Sequence, residues 1–320
     1  MKLTSTKNDF ILYENLTNFL EQDSIPINGA WHYTKWNGCF GILTSQRLRF
    51  THYSALEDTS EINYGFEQIR NYVLAHTKGM LNEFFKDLFF DFEKEVFSFL
   101  DFYTASFCLH PDNLTAWRLY GDDGKGCSIK FRREFFEAPP KIISNPADIT
   151  FSRGIIYYDL NSIFPRLKKL IALVDAQIKK YKAFKNNKIS IKNRLLIAKM
   201  FSASIMPLIA LIKKNDHIVE QEQRIFALLT KENNYQKLSS TGLTYSSSLI
   251  LTKKVEFEFS LEDVSEIMLG PQLKNPTLLL RIKNLLENLH RKGHKTEHIS
   301  LTVSRQTYKD KQSNNVLLLP

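Results

Sequence analysis

Cysteine is scarce in this 320-residue chain: Cys39, Cys108 and Cys127 stand far apart, with no CxxC pair and no Cys/His cluster. An odd, sparse set of this kind argues against a disulfide scaffold and a zinc site and fits a reducing compartment. Glycine and proline are also few, 12 and 10 residues, which together with 24% charged residues excludes fibrous and disordered classes. Long hydrophobic runs are missing: the longest, Met200 to Ile212, is too short to span a bilayer and contains Pro207. The opening residues, Met1 to Asp9, lack the apolar stretch of a secretory signal. A soluble protein, cytoplasmic where it is made, is therefore expected. No internal repeat or low-complexity linker divides the chain, so residues 1–320 are read as a single domain.

What is present is enough to build a large core, with 43% hydrophobic and 12% aromatic residues. The net charge of +9 is unevenly placed. Between Pro165 and Lys214 lie 13 Lys or Arg and one acid, Asp175, a local +12 that leaves the remainder slightly acidic. One basic element on a near-neutral body is implied, not a charge-coated nucleic-acid binder. The element lacks the aromatic interleaving of a base-stacking surface, so nucleic acid is not expected. It is read either as a docking face for an acidic partner or as a solvated helical face.

Periodicity predicts short strands separated by long helical insertions, an α+β protein. A strand is expected at Ala30-Trp31-His32-Tyr33, a short helix from Lys35 to Leu43, and an extended piece at Arg47 to Thr51. Apolar residues at intervals of three and four predict helix within 65–100. Strands are expected at Phe102 to Leu109, Cys127 to Phe131 and Gly154 to Tyr158. Asp112 or Asn113 is offered as the N-cap of a helix from Leu114 to Tyr120. A second insertion at 160–214 contains an amphipathic helix around Leu167 to Tyr181. A more uniformly apolar helix follows from about Ser190 to Ile212, with a kink expected at Pro207. Gln223 to Leu229, Val255 to Phe259 and His298 to Val303 read as strands, Leu278 to Lys292 as a helix, and Val264 to Leu269 as either.

Taken singly, the chemically capable residues are ordinary. A histidine in an aromatic strand is commonly a satisfied core residue. Glu220, Glu222 and Arg224 beside a strand would usually form a solvated salt-bridge face. The turn Gly121 to Gly126 lacks the Lys-Ser/Thr ending of a P-loop. Asp58 and Glu61 make a metal-like pair with no His nearby, and no metal site is assigned to them.

Their order along the chain says more. His32-Tyr33-Thr34, Gly41-Ile42-Leu43 and Leu48 are followed by an acidic stretch, Glu57 to Glu61, and by Ser106-Phe107-Cys108. Asp112 and Leu114 come next, then Trp117-Arg118-Leu119-Tyr120-Gly121 with Lys125-Gly126, Glu220 to Arg224, Leu269-Gly270-Pro271, and finally Ser304 and Tyr308. Over residues 30 to 308 this order resembles bacterial domain-of-unknown-function family 2971, which looks like a divergent branch of the ADP-ribosyltransferase superfamily.

The resemblance implies a split β-sheet core of ADP-ribosyltransferase type with helical insertions, and NAD as substrate. His32 would bond the adenosine ribose with Thr34 assisting. Glu222 would bond the 2′-hydroxyl of the nicotinamide ribose, with Glu220 as its catalytic companion. Tyr33, Arg49 and Ser106 join the NAD-binding set. Tyr120 is the first choice for the face that stacks on nicotinamide, with Tyr157 and Tyr158 behind it and Trp117 open between core and site. The implied activity is NAD-dependent mono-ADP-ribosylation of a protein acceptor. The implied role is that of a toxin, an effector delivered to another cell, or a phage-defence enzyme. NAD glycohydrolysis, or non-enzymatic binding through the basic insertion, are the alternatives. Paired glutamates resemble those of arginine-modifying transferases, but this first strand offers His32 where those offer arginine, and Arg49 comes only on a later strand. The acceptor residue stays open.

Overall fold

The computed structural model describes residues 26–53, 56, 60–90, 100–137, 141–142, 149–184, 191–230, 243–245, 251–273, 276–306, 308–309 and 316–317. The fold is α+β, around a mostly antiparallel sheet. Strands β1 (Ala30–Thr34), β2 (Arg47–His52), β3 (Leu100–Cys108) and β4 (Cys127–Phe131) form its middle with β7 (Glu222–Thr230). Outward lie β5 (Lys141–Ile142), β6 (Ile149–Ile155), β8 (Leu243–Tyr245), β9 (Leu251–Glu258), β10 (Val264–Leu269) and β11 (Ser300–Val303). The main order is β11-β10-β4-β1-β3-β2-β9-β5, with β7 joining β3 to β6 and β8 joining β9. Among the described strand pairs, β10–β11 alone is parallel. Val264 to Leu269, ambiguous by pattern, is a strand because β4 and β11 take both its edges.

The arrangement around β3 positions the site. Strand β7 pairs with β3 along its whole length, from Leu100↔Thr230 to Cys108↔Glu222. Both β1 and β2 must therefore use the other edge, and they meet it at separate places. Trp31 pairs with Cys108, while Thr51 and His52 pair with Thr104 and Tyr103. Between these contacts the sheet is parted at residues 105–107.

Side chains alternate across β3 and β7, so each face of the sheet carries its own core. Tyr103, Ala105, Phe107, Ile225 and Ala227 face one core. It is completed by α1 (Trp36–Ser45), α5 (Arg133–Glu137) and α8 (Pro276–Arg291), through Cys39, Leu43, Phe135, Phe136, Ile282, Leu286 and Leu289. Phe102 and Phe226, 5.2 Å apart by ring centroid, face the other core. That core is built from α2 (Ser60–Ala75), α3 (Gly79–Phe90), α6 (Phe164–Phe184) and α7 (Ile191–Ala210). The helices of 60–90 and 164–210 thus form one helical layer.

Helix α7 has the length and composition to cross a membrane over Asn193–Ala210, yet 59% of that stretch is buried. Ile197, Phe201, Ile205 and Met206 make it the central core helix of this layer. It runs through Pro207 to Ala210. The first insertion divides into α2 and α3 at Gly79, whose φ of +58° suits glycine. At Gly65 a Cβ would stand 2.1 Å from the carbonyl oxygen of Ile209, so the glycine lets α2 lie directly on α7.

The short helix α4 (Leu114–Leu119) is capped by Asn113, whose side chain accepts from the backbone N–H groups of Thr115 and Ala116. Asp112, the alternative cap, instead accepts from the Trp117 indole at 2.8 Å and from the Arg305 backbone N–H. Trp117 is fully buried.

Candidate functional site

A cavity of about 500 Å³ opens where the sheet parts, within the range of small-molecule sites. His32, Tyr33, Arg49, Ser106, Tyr120, Glu220 and Glu222 all line it. Residues separated by up to 190 positions therefore meet at one place. Thr34 does not line the cavity: its hydroxyl lies against Gly38 and its carbonyl against Gly126, at the far end of β1. Trp117, Tyr157 and Tyr158 are also outside the lining. Trp117 packs edge-on against Tyr33 at 4.7 Å, a core contact. Tyr158 accepts the Glu222 backbone N–H at 3.1 Å, and the Tyr157 hydroxyl accepts from Arg166.

Five charged groups form the floor. Glu222 opens β7, with its backbone carbonyl accepting from Ile156 N–H. Its carboxylate receives Arg224 through Nε at 2.5 Å and Nη2 at 3.0 Å, and Lys213 Nζ at 2.7 Å. Lys213, just beyond α7, also holds Glu220 at 2.9 Å and Glu61 at 2.8 Å. Arg224 bonds the other Glu61 oxygen at 2.7 Å and the Ala210 carbonyl at 2.8 Å. Glu220 further meets His217 Nδ1 at 2.8 Å and the Tyr120 hydroxyl at 3.3 Å. Gln221, between the two glutamates, is left-handed with φ +45°, and this bend lets Glu220 and Glu222 both reach Lys213.

These contacts set the protonation states. Burial pushes the Glu222 carboxyl up, but the charges and hydrogen bonds of Arg224 and Lys213 more than offset this and hold it at about 2. Burial alone would lower the Lys213 ammonium; Glu222 and Glu61 raise it instead, so it stays charged. Burial and the neighbouring glutamates push the Tyr120 hydroxyl up, keeping it a phenol. A salt-bridge network this deeply buried is costly to assemble and costly to break at one partner.

His32 stands in the parting itself, its ring 5.7 Å from Phe107. Its Nδ1 lies 3.0 Å from the Ser106 carbonyl oxygen, which can only accept, so Nδ1 carries the proton. Burial pushes the imidazole pKa below its ordinary 6.5, against the raising effect of that bond. In the neutral ring Nε2 is then an acceptor. Thr104 lines the same cavity at 2% exposure, and among the described residues its hydroxyl has no hydrogen-bond partner. Arg49 sits at the rim, 3.5 Å from Glu256.

Three of these residues escape a reading of the sequence alone. Glu61, set aside there with Asp58, belongs to the floor, while Asp58 lies outside the described residues. Lys213, counted there in the basic segment, is 2% exposed and spent on three carboxylates, so it is no part of a docking face. Thr104 gives no signal in an apolar strand. Among the described residues no group of three or more metal-ligating side chains is arranged to hold an ion. Compared with family models, curated proteins and solved structures, the chain matches none.

Proposed function

We propose that the cavity binds NAD and transfers its ADP-ribose to a protein acceptor, as expected of a divergent relative of the ADP-ribosyltransferases and of domain-of-unknown-function family 2971. The observation that carries this reading is a glutamate carboxylate fixed in its ionised form at the parting of a sheet, in one cavity with His32, Ser106 and Tyr120.

Breaking the bond between nicotinamide and C1′ sends the electron pair to the ring nitrogen and leaves an oxocarbenium-like ribose. A fixed carboxylate stabilises that charge as it develops. Glu222 Oε1 takes one bond from Arg224 and keeps a second acceptor site for a ribose hydroxyl. His32 Nε2, an acceptor, suits another ribose hydroxyl. Tyr120 offers its ring to nicotinamide. The acceptor then adds to C1′ and releases its proton.

An apolar rim favours a protein over water as acceptor. Leu119 and Tyr120 at the end of α4 line the cavity, and Ile218 and Val219 lie in the turn between the lining residues His217 and Glu220; all four are 38–55% exposed. Exposed apolar groups clustered beside a site are features of protein-binding surfaces. The three cysteines are free and buried, which suits the reducing, cytoplasmic setting we assign where the protein is made.

Incubation with NAD carrying a labelled adenylate, in lysate, tests this. Label should enter protein while nicotinamide is released, and Glu222→Gln should lower both by roughly 10²–10³. Nicotinamide release without labelled protein would replace transfer by glycohydrolysis. No release from wild type in any lysate would remove the enzymatic reading.

A further inference from the structure

The floor of the cavity holds one more negative charge than positive. Glu222 and Glu220 face Lys213 and Arg224, and these four groups cancel. Glu61 is the fifth and comes from the helical layer, where it occupies the first turn of α2. With it the cluster carries −1. The other charged lining residues do not reverse this: Arg49 is engaged by Glu256 at the rim, and His217 adds charge only when protonated.

Two features show that Glu61 is placed for this and is not merely a helix-end acid. Its two oxygens diverge, one to Lys213 at 2.8 Å and one to Arg224 at 2.7 Å, so it holds both cations that press on Glu222. Its helix is fixed at close range, because Gly65, one turn on, lies against the Ile209 carbonyl just ahead of Lys213. The unpartnered Thr104 hydroxyl, buried in the same cavity, independently marks a place for a ligand.

We propose that Glu61 is a positioning residue that tips the cavity from neutral to negative, so that it selects a ligand bearing a cationic ring. The charge is set by distance and count, and a uniform +1 on the ligand senses it directly. Only the identification of that ring with the nicotinamide of NAD rests on the function proposed above.

Two probes separate charge from shape: 1-methylnicotinamide, whose ring is cationic, and nicotinamide, which is neutral and nearly the same size. Calorimetric or NMR titration of the full chain should show wild type preferring the cationic probe by about tenfold, as one unbalanced charge at this range implies. Glu61→Gln should abolish most of that preference, read as the ratio of the two affinities within the folded variant, and Glu61→Asp should restore part of it. A merely structural role would weaken both probes together and leave their ratio unchanged, overturning the proposal. Equal affinity in wild type, or no measurable binding of 1-methylnicotinamide, would overturn it too. If the cationic preference depends on Glu61 but NAD is never cleaved, the charge proposal stands and the transferase reading falls.

Discussion

Arg224 closes on the carboxylate of Glu222, two residues before it on the same strand, with Nε 2.5 Å from one oxygen and Nη2 3.0 Å from the other. Residues at i and i+2 share a strand face, so the pair is dictated by local geometry. The helical layer then buries it, and Lys213 and Glu61 complete its coordination. The same contacts that hold the sheet to its helices thus hold the candidate catalytic carboxylate in one protonation state.

Acid should weaken the fold with a definite sign. The folded-state pKa of Glu222 lies below its ordinary 4.5, at about 2, so its contribution is complete above about pH 4.5 and is lost as pH falls toward 2. The difference corresponds to about 3 kcal/mol. His32 is also depressed, so its protonation removes stability as pH falls below about 6.5. Urea midpoints at pH 7.5, 5.5 and 3 should decline in that order, and Glu222→Gln should flatten the lower part of the profile.

Lys213→Met removes the cation shared by Glu61, Glu220 and Glu222, leaving Arg224 on Glu61 and Glu222 and His217 beside Glu220. Removing one partner of a buried network typically costs about 3–5 kcal/mol. Denaturation curves of variant and wild type check the size of the loss.

Gly65→Ala would drive a methyl group into the Ile209 carbonyl and push α2 away from α7. Overpacking of this kind costs roughly 1–3 kcal/mol. Because α2 carries Glu61, the variant should also lose part of the cationic-ring preference, which titration with 1-methylnicotinamide reads. Gly41→Ala, with nothing among the described residues within 4 Å of the added Cβ, is the control and should change neither.

Tyr120 contributes a ring and a hydroxyl, and the two are separable. The hydroxyl donates to Glu220 across a long 3.3 Å, so Tyr120→Phe should cost no more than about 1 kcal/mol. Tyr120→Ala removes the ring at the mouth and should weaken nicotinamide binding much further. Comparing KM for NAD in the two variants distinguishes the contributions.

Much of the sheet was legible because its strands are short aromatic or alternating runs, as at Trp31-His32-Tyr33 and Cys127 to Phe131. His32, Glu220 and Glu222 stood out by residue type and order, and all three line the cavity. Thr34 shared the motif but faces the turn near Gly38 and Gly126, a consequence of where β1 ends that spacing does not encode. Glu61 and Lys213 reach the floor only because α2 and α7 pack together, a tertiary fact invisible in either segment alone. Lys213 was hidden further by its neighbours: in a run of basic residues nothing marks the one that is buried. Asn113 and Asp112 were equivalent candidates for the cap, and the choice was made by Trp117, which takes Asp112 for its indole.

The most direct measurement is nicotinamide release from NAD by purified wild type and by Glu222→Gln, with and without lysate, with folding of both verified by circular dichroism. Release by wild type, reduced roughly 10²–10³ in the folded variant, is the predicted result. Equal release from the two proteins, or none from wild type with lysate present, would contradict the proposed role of Glu222 as the carboxylate that stabilises the ribose as nicotinamide departs.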